Sequence, residues 1–327
     1  MIKASVVMPT FKRIEQTKKT LKLLLDSDGI GNQCNIEFIV SDCTPDDSLE
    51  KAILKDFGNK IKYTRPQYQG ISNNKNNGAK FASNQILIFC DSDIEVNKDT
   101  LLKTINALKE NPKAAAVTGK VIWRGGEKNG LVDRPSSDNS IVKVKQFSYI
   151  DVIYSRYIST YKDVFFNVGG YDEAAFNMHG EGSDLSIRYW RSGYPLTYEK
   201  NVIIHHVHEA PFSAAIRVNS PELRVAMDLV LLMYKYDMSS SENPNFSRVL
   251  YNIFKKYNKN ASYKVLQGIV KNLPDIVRMI SKIDSYKAST NTLYDFKFLE
   301  VFSNKKQFLD CIQSAEERLK AVRTIFN

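Results

Sequence analysis

At 327 residues, with 43% apolar and 25% charged residues, the chain has an ordinary globular composition and length enough for more than one domain, which excludes wholesale disorder. No run approaches the roughly 20 apolar residues of a membrane span, and no basic leader with an apolar core opens the sequence. Four cysteines without a C-x-x-C pair argue for reduced thiols, not a zinc site or a disulfide framework, so a cytoplasmic protein is expected. The formal charge of +10 is uneven: residues 216–327 hold 18 Lys+Arg against 11 Asp+Glu, a net of +7 that leaves +3 for the first 215 residues.

Short β-type runs alternate with helical patterns through the first half, which predicts a mainly parallel sheet with crossover helices. Residues 4–9 read as the first strand, and residues 14–26 as a helix with Leu21, Leu24 and Leu25 at helical spacing. A second strand follows at 35–42, then a turn at 44–47 and a helix from Ser48. Residues 61–63 and 85–90 are the third and fourth strands, 98–110 a helix closed by Asn111-Pro112, and 115–123 another strand. Residues 125–139, rich in Gly, Pro, Ser and Asp, read as a long loop of the kind that forms lids beside ligand crevices. Beyond Pro211 the pattern turns helical, at 222–236, 246–257, 263–272 and 305–325. The predicted organisation is an α/β domain over 1–215 and a helical, basic region over 216–327.

The most informative segment is the apolar run Ile86, Leu87, Ile88, Phe89 and Cys90, which ends in Asp91-Ser92-Asp93. A buried strand that delivers two carboxylates at its carboxyl end puts hard oxygen ligands at the crevice of an open α/β sheet. With a divalent cation and a diphosphate between them, such carboxylates fit a nucleotide-sugar site.

Five segments in order carry a resemblance. They are Ser5-Val6-Val7-Met8-Pro9-Thr10-Phe11-Lys12-Arg13, Ile39-Val40-Ser41-Asp42-Cys43-Thr44, Gly70-Ile71-Ser72-Asn73-Asn74-Lys75-Asn76-Asn77-Gly78, Asp91-Ser92-Asp93, and Gly169-Gly170-Tyr171-Asp172-Glu173 followed by Gly180-Glu181-Gly182-Ser183-Asp184-Leu185. Together they resemble the family 2 glycosyltransferases with the GT-A fold, over roughly the first 210 residues. The resemblance implies an inverting, metal-dependent transfer of a sugar from a nucleotide diphosphate, UDP first among the candidates.

By that resemblance Pro9, Thr10 and Asp42 meet the nucleotide, with Asp42 accepting from a uracil N–H. Gly70 lets backbone approach, while Lys75 and Asn76 supply donors. Lys75 stands where the family carries arginine, which keeps the charge and loses the bidentate fork. Asp91 meets the ribose or the metal network, Ser92 belongs with it to the nucleotide-sugar contacts, and Asp93 is favoured as the direct ligand of Mn²⁺ or Mg²⁺.

The family's base, an Asp directly after the Glu of Gly-Glu-Asp, is replaced by Gly182. Glu181 is favoured for that role and Asp184 comes next; on a helix starting here they share a face at i and i+3. Three of the four histidines cluster at His205, His206 and His208. Strand alternation puts His206 and His208 on one face, favoured as metal or phosphate contacts, with His205 the alternative should the register slip. Imidazole suits Mn²⁺ better than Mg²⁺. Trp123, beside the long loop, is a candidate acceptor contact.

The expected partners are a nucleotide-sugar donor and a saccharide or lipid-linked acceptor, with no nucleic acid. Aromatics among the lysines at 251–264 suit either an interfacial helix, giving peripheral contact at the inner face of a membrane, or a packed bundle. Homo-oligomerisation stays open. The alternative function is a catalytically degenerate module that binds nucleotide sugar or acts as a scaffold.

Overall fold

The computed structural model describes residues 1–112, 114–124, 133–134, 141–144, 146–150, 153–173, 176 and 180–207. The predicted region 216–327, His208 and all of 125–139 except Asp133–Arg134 lie outside the described residues, as does the side chain of Trp123.

The chain runs β1 (Ile2–Thr10), α1 (Ile14–Leu25), β2 (Cys34–Asp42), α2 (Ser48–Phe57), β3 (Ile61–Thr64), α3 (Ile71–Phe81), β4 (Ile86–Cys90), β5 (Ile94–Val96) and α4 (Thr100–Glu110). It continues with β6 (Ala116–Arg124), β7 (Asp133–Arg134), β8 (Ile141–Val144), β9 (Phe147–Ile150), β10 (Tyr157–Tyr161), α5 (Lys162–Asn167), α6 (Glu181–Arg191) and β11 (Leu196–Val207). The predicted elements of the first half are present with ends shifted by one or two residues. The strands β5, β7, β8, β9 and β10 and the helix α5 have no counterpart in the sequence reading, and β7 lies within the segment 125–139 predicted as a loop.

The sheet order is β3-β2-β1-β4-β10-β6-β11-β9-β8. The pairs β1–β2, β2–β3, β1–β4 and β6–β11 are parallel, and β10 is inserted antiparallel between β4 and β6. This is the α/β architecture expected of a GT-A fold. Alternation along the central strands splits the core between the two faces. Val6, Met8, Ile88 and Cys90 join one apolar cluster with Leu21, Leu24 and Ile105. Val7, Leu87 and Phe89 join the other with Phe165, Tyr171 and Trp190. Among the described residues no helix is long and apolar enough to cross a membrane.

Two features of the sheet build the site. First, parallel strands β1, β2 and β4 all end at one edge, so Thr10, Asp42 and the Asp91-Ser92-Asp93 turn face one crevice. Second, β11 runs beside β6 throughout but changes neighbour on its other edge, from β9 to β5. Its register against β6 breaks between Glu199 and Ile203, after which His206 pairs with Ile94 of β5. The bend is close: a Cβ on Gly119 would lie 2.2 Å from the Val202 carbonyl oxygen, so only glycine fits beneath it. The Val207 N–H then donates to the Asp93 carbonyl at 3.0 Å, tying the end of β11 to the Asp91-Ser92-Asp93 turn.

Candidate active site

Asp93 is the centre of a charged cluster. Its Oδ2 accepts from Nη1 of Arg13 at 2.6 Å and from Nη1 of Arg156 at 3.4 Å, and lies 3.3 Å from Nε2 of His206. Burial raises the pKa of this carboxyl, but the hydrogen bond from His206 and the charges of Arg156 and Arg13 outweigh that and hold it well below the usual range. Asp91 has the opposite balance. Burial dominates, and even with Lys75 opposing it the Asp91 carboxyl is held above its ordinary value.

Lys75 is completely buried on α3, and three contacts hold its ammonium. It donates to the Ser155 carbonyl at 2.8 Å and lies 3.3 Å from Asp91 Oδ1 and 3.3 Å from Glu181 Oε1, above the Tyr171 ring. A buried cation between two buried carboxylates compensates charges that would otherwise be costly to desolvate. In the structure, then, Lys75 links the Asp91-Ser92-Asp93 turn to Glu181.

Glu181 opens α6. Its Oε1 also accepts from the Ser155 hydroxyl at 2.8 Å. Asp184, three residues on, sits in a different environment. It is fully buried, and its Oδ2 accepts from Nε and Nη2 of Arg188 at 3.0 and 2.6 Å, an i,i+4 ion pair inside the helix packing. The two carboxylates are near each other on the helix but do not share surroundings. Asp184→Asn should destabilise the fold by about 3–5 kcal/mol, because it strips the countercharge from a buried guanidinium. Urea unfolding measures this. Donor affinity of the folded fraction should be unchanged.

The space that a side chain at Gly182 would need is taken by Ser155. A Cβ there would lie 2.7 Å from Ser155 Cβ and 2.9 Å from its Oγ. The departure at this position therefore comes as a pair: glycine on the helix, and a hydroxyl from the turn before β10 that holds Glu181. Gly182→Ala should lower stability by about 1–3 kcal/mol through overpacking and should lower turnover, since Ser155 must move off Glu181. Thermal melting with a parallel rate assay checks both.

The other predicted residues lie around this cluster. Thr10 pairs with Asp42 in register, its Oγ1 meets Thr17, and its carbonyl accepts from Asn74; Pro9 precedes it opposite Ser41. Asp42 is 1% exposed, and its carboxylate accepts from the Thr44 N–H and hydroxyl at 2.8 and 2.6 Å and from the Tyr63 hydroxyl at 2.5 Å. It shapes the strand end through these groups. The Gly70 carbonyl accepts from Asn74 N–H at the start of α3. The Asn76 amide is engaged with the acceptor-side segment, donating to the Tyr171 carbonyl and Glu173 and accepting from Tyr171 N–H. The Ser92 carbonyl accepts from Thr20. His206 is 1% exposed, and His205, on the opposite face, pairs with Glu95 in register.

Thus Asp91, Asp93, Lys75, Glu181 and His206 come together, while Asn76 and Asp184 are engaged elsewhere. Ser155 and Arg156 were absent from the sequence reading, and Arg13 was given no role there. Arg13 is the last residue of the first motif segment. Ser155 and Arg156 have no motif signal; they reach the site because Tyr157 pairs with Cys90, which sets residue 156 beside Asp91.

A divalent cation fits these residues. Asp93 Oδ1 is buried with no hydrogen-bond partner, beside an imidazole that suits Mn²⁺. No group of three or more His, Cys, Asp and Glu that could hold a metal is found among the described residues. One or two protein ligands completed by substrate oxygens is the usual arrangement for an ion that bridges a diphosphate.

The family model "Glycosyl transferase family 2" matches residues 5–170, just over half of the chain. A curated relative from Campylobacter jejuni, GalNAc(5)-diNAcBac-PP-undecaprenol beta-1,3-glucosyltransferase, is 28% identical over 209 residues. The match covers 63% of this chain and 63% of that protein's length. Among solved structures, the mannosyltransferase PcManGT of Pyrobaculum calidifontis with GDP-Man and Mn²⁺ aligns at a TM-score of 0.56 and 12% identity, covering 96% of this chain and 86% of that one. Residues 1–349 of S. aureus TarS with UDP-GlcNAc align at 0.55 and 14%, covering 98% and 92%. GalNAc-T7 with UDP, GalNAc and Mn²⁺ aligns at 0.57 and 14%, covering 90% and 58%. At these identities the structural likeness concerns the fold.

Proposed function

The chain belongs to glycosyltransferase family 2, and we propose that it is an inverting, metal-assisted enzyme that moves a hexosyl or N-acetylhexosaminyl group from a UDP-sugar to a saccharide or lipid-linked acceptor hydroxyl. The observation that carries this reading is the Asp93 cluster. A carboxylate at the end of a parallel strand meets His206 at 3.3 Å, and Lys75 ties the same turn to Glu181. Two of the three structural neighbours named above hold a uridine nucleotide and two hold Mn²⁺, which supports the choice of donor and of ion. The name of the Campylobacter jejuni relative describes a lipid-linked saccharide, which supports the acceptor class.

In this mechanism Glu181 accepts the proton of the acceptor hydroxyl as that oxygen attacks the anomeric carbon. The bond from the anomeric carbon to the diphosphate oxygen breaks on the opposite face, and the nucleoside diphosphate leaves. Ser155 and Lys75 hold Glu181 in place, and Lys75 keeps Asp91 aligned beside it. Asp93 and His206 would hold the cation, with His208 as a further candidate, and its charge would stabilise the departing diphosphate. Asp42, Pro9, Thr10 and Gly70 form the nucleotide end of the crevice.

Residues 1–215 constitute the catalytic domain in this reading. The basic region 216–327 engages the acceptor, the inner face of a membrane, or a second copy of the chain. A cytoplasmic protein with peripheral membrane contact fits such an acceptor.

The test is a thermal-shift and donor-hydrolysis panel of UDP-, GDP- and dTDP-sugars with and without Mn²⁺. Stabilisation by one UDP-sugar together with slow release of UDP is the expected result. Metal-dependent binding with no turnover on any acceptor would favour the degenerate module, the reading that Gly182 keeps in view. No nucleotide binding under any condition would overturn both.

A further inference from the structure

The contacts of Arg156 go beyond this reading and rest on it. Its Nη1 lies 3.2 Å from His206 Nε2, 3.4 Å from Asp93 Oδ2 and 4.0 Å from Asp91 Oδ2. A guanidinium only donates, so it takes up lone pairs of Asp93 Oδ2 and His206 Nε2 that, with the unpartnered Asp93 Oδ1, a divalent cation at this site would use. Nε2 of His206 accepts from Arg156 in one tautomer and donates to Asp93 in the other; in both, the positive charge beside these atoms comes from arginine. Arg13 lies on the same Asp93 oxygen at 2.6 Å.

The exposures separate a fixed part from a movable one. The side chains of Asp93 and His206 are 8% and 1% exposed, whereas that of Arg156 is 35% exposed. The Arg156 backbone is held, its carbonyl accepting from the Asp91 N–H at 2.8 Å, so any displacement falls on the long side chain. That side chain ends in a planar fork that matches phosphate oxygens.

We propose that Arg156 is a built-in counter-cation: in the free protein it occupies the metal-binding atoms of Asp93 and His206, and on donor binding its guanidinium transfers to the diphosphate. Two cations on the same atoms repel each other, so Arg156 weakens metal binding to the free protein. The diphosphate supplies the charge that draws Arg156 away, and so donor and metal favour each other's binding. By linkage the effect is reciprocal. The arginine is thus a diphosphate-binding residue and a source of the metal–donor coupling.

The experiment is isothermal titration calorimetry on the full chain, wild type and Arg156→Gln. Mn²⁺ is titrated with and without saturating UDP, and UDP is titrated in EDTA, with GDP and dTDP run in parallel. Expected for Arg156→Gln are Mn²⁺ binding to the nucleotide-free protein at least fivefold tighter than in wild type, UDP binding in EDTA at least fivefold weaker, and a smaller coupling between the two. Opposite signs for metal and nucleotide mark the competition, because loss of a merely structural contact would weaken both. A variant with wild-type melting temperature whose nucleotide-free Mn²⁺ affinity is unchanged or weaker overturns the proposal. Should the variant not fold, the wild type alone still decides: Mn²⁺ affinity that changes less than twofold on adding UDP overturns it. Nucleotide binding without coupling thus removes this proposal alone, whereas no binding of UDP, GDP or dTDP, with or without Mn²⁺, removes the donor reading and this proposal together.

Discussion

Glu181→Gln should reduce sugar transfer by about 10²–10⁴-fold, the usual contribution of a positioned general base. The amide keeps the shape and can still accept from Ser155, but it cannot take the proton of the acceptor hydroxyl. Lys75 keeps a countercharge in Asp91 at 3.3 Å, so the buried cation is not stranded and the fold should survive. The loss should fall on kcat, with the KM for the donor within a few-fold of wild type, because the proposed mechanism puts Glu181 on the acceptor side. Asp184→Asn separates the two carboxylates, since its effect should appear as lost stability and leave the specific activity of folded protein nearly intact. If Glu181→Gln turns over at wild-type rates while Asp184→Asn, still folded, does not, the assignment of the base is reversed.

Asp93→Ala should cost several kcal/mol of transition-state stabilisation, on the order of a 10³-fold loss of transfer. Its Oδ1 is buried with no hydrogen-bond partner, and its Oδ2 is the meeting point of Arg13, Arg156 and His206. Removing the carboxylate leaves those groups without their shared acceptor and the cation without its carboxylate ligand. Mn²⁺ binding followed by electron paramagnetic resonance should disappear, and EDTA should reduce wild-type turnover to the level of the variant. An Asp93→Ala protein that still binds Mn²⁺ with wild-type affinity in the presence of UDP would remove Asp93 from the metal site.

Glu181 and Asp184 show how far local pattern reaches. Their spacing on one helix is legible in the sequence, and so is the absence of an acid at Gly182. Which of the two can act as a base depends on what comes to meet them. Arg188 lies on the same helix at i+4 and could have been suspected; Ser155 and Lys75 arrive from segments 26 and 106 residues away. A hydroxyl that fills the space above a glycine has no signature in either segment alone.

Lys75 makes the same point for charge. Its sequence position suggests a donor aimed at a ligand, yet the folded chain surrounds it with Asp91, Glu181 and the Ser155 carbonyl. Asn76 likewise clamps the Tyr171 segment. α3 brings a polar face into the interior because the segments packed against it deliver carboxylates and carbonyls that need partners.

The sequence by itself determined what depends on periodicity and on short motifs. Apolar runs of strand length alternating with helical spacings specify the α/β sheet, and an apolar strand ending in Asp91-Ser92-Asp93 puts carboxylates at the sheet edge, because parallel strands share that edge. Tertiary structure alone decided the company those carboxylates keep. β10 slots antiparallel beside β4 and carries Arg156 to Asp91 and Asp93. β11 bends over Gly119, pairs with β5 and brings His206 to Asp93. The physical reason is that charge compensation in a buried site acts over a few ångströms of space whatever the separation along the chain, and only the folded sheet brings these residues that close.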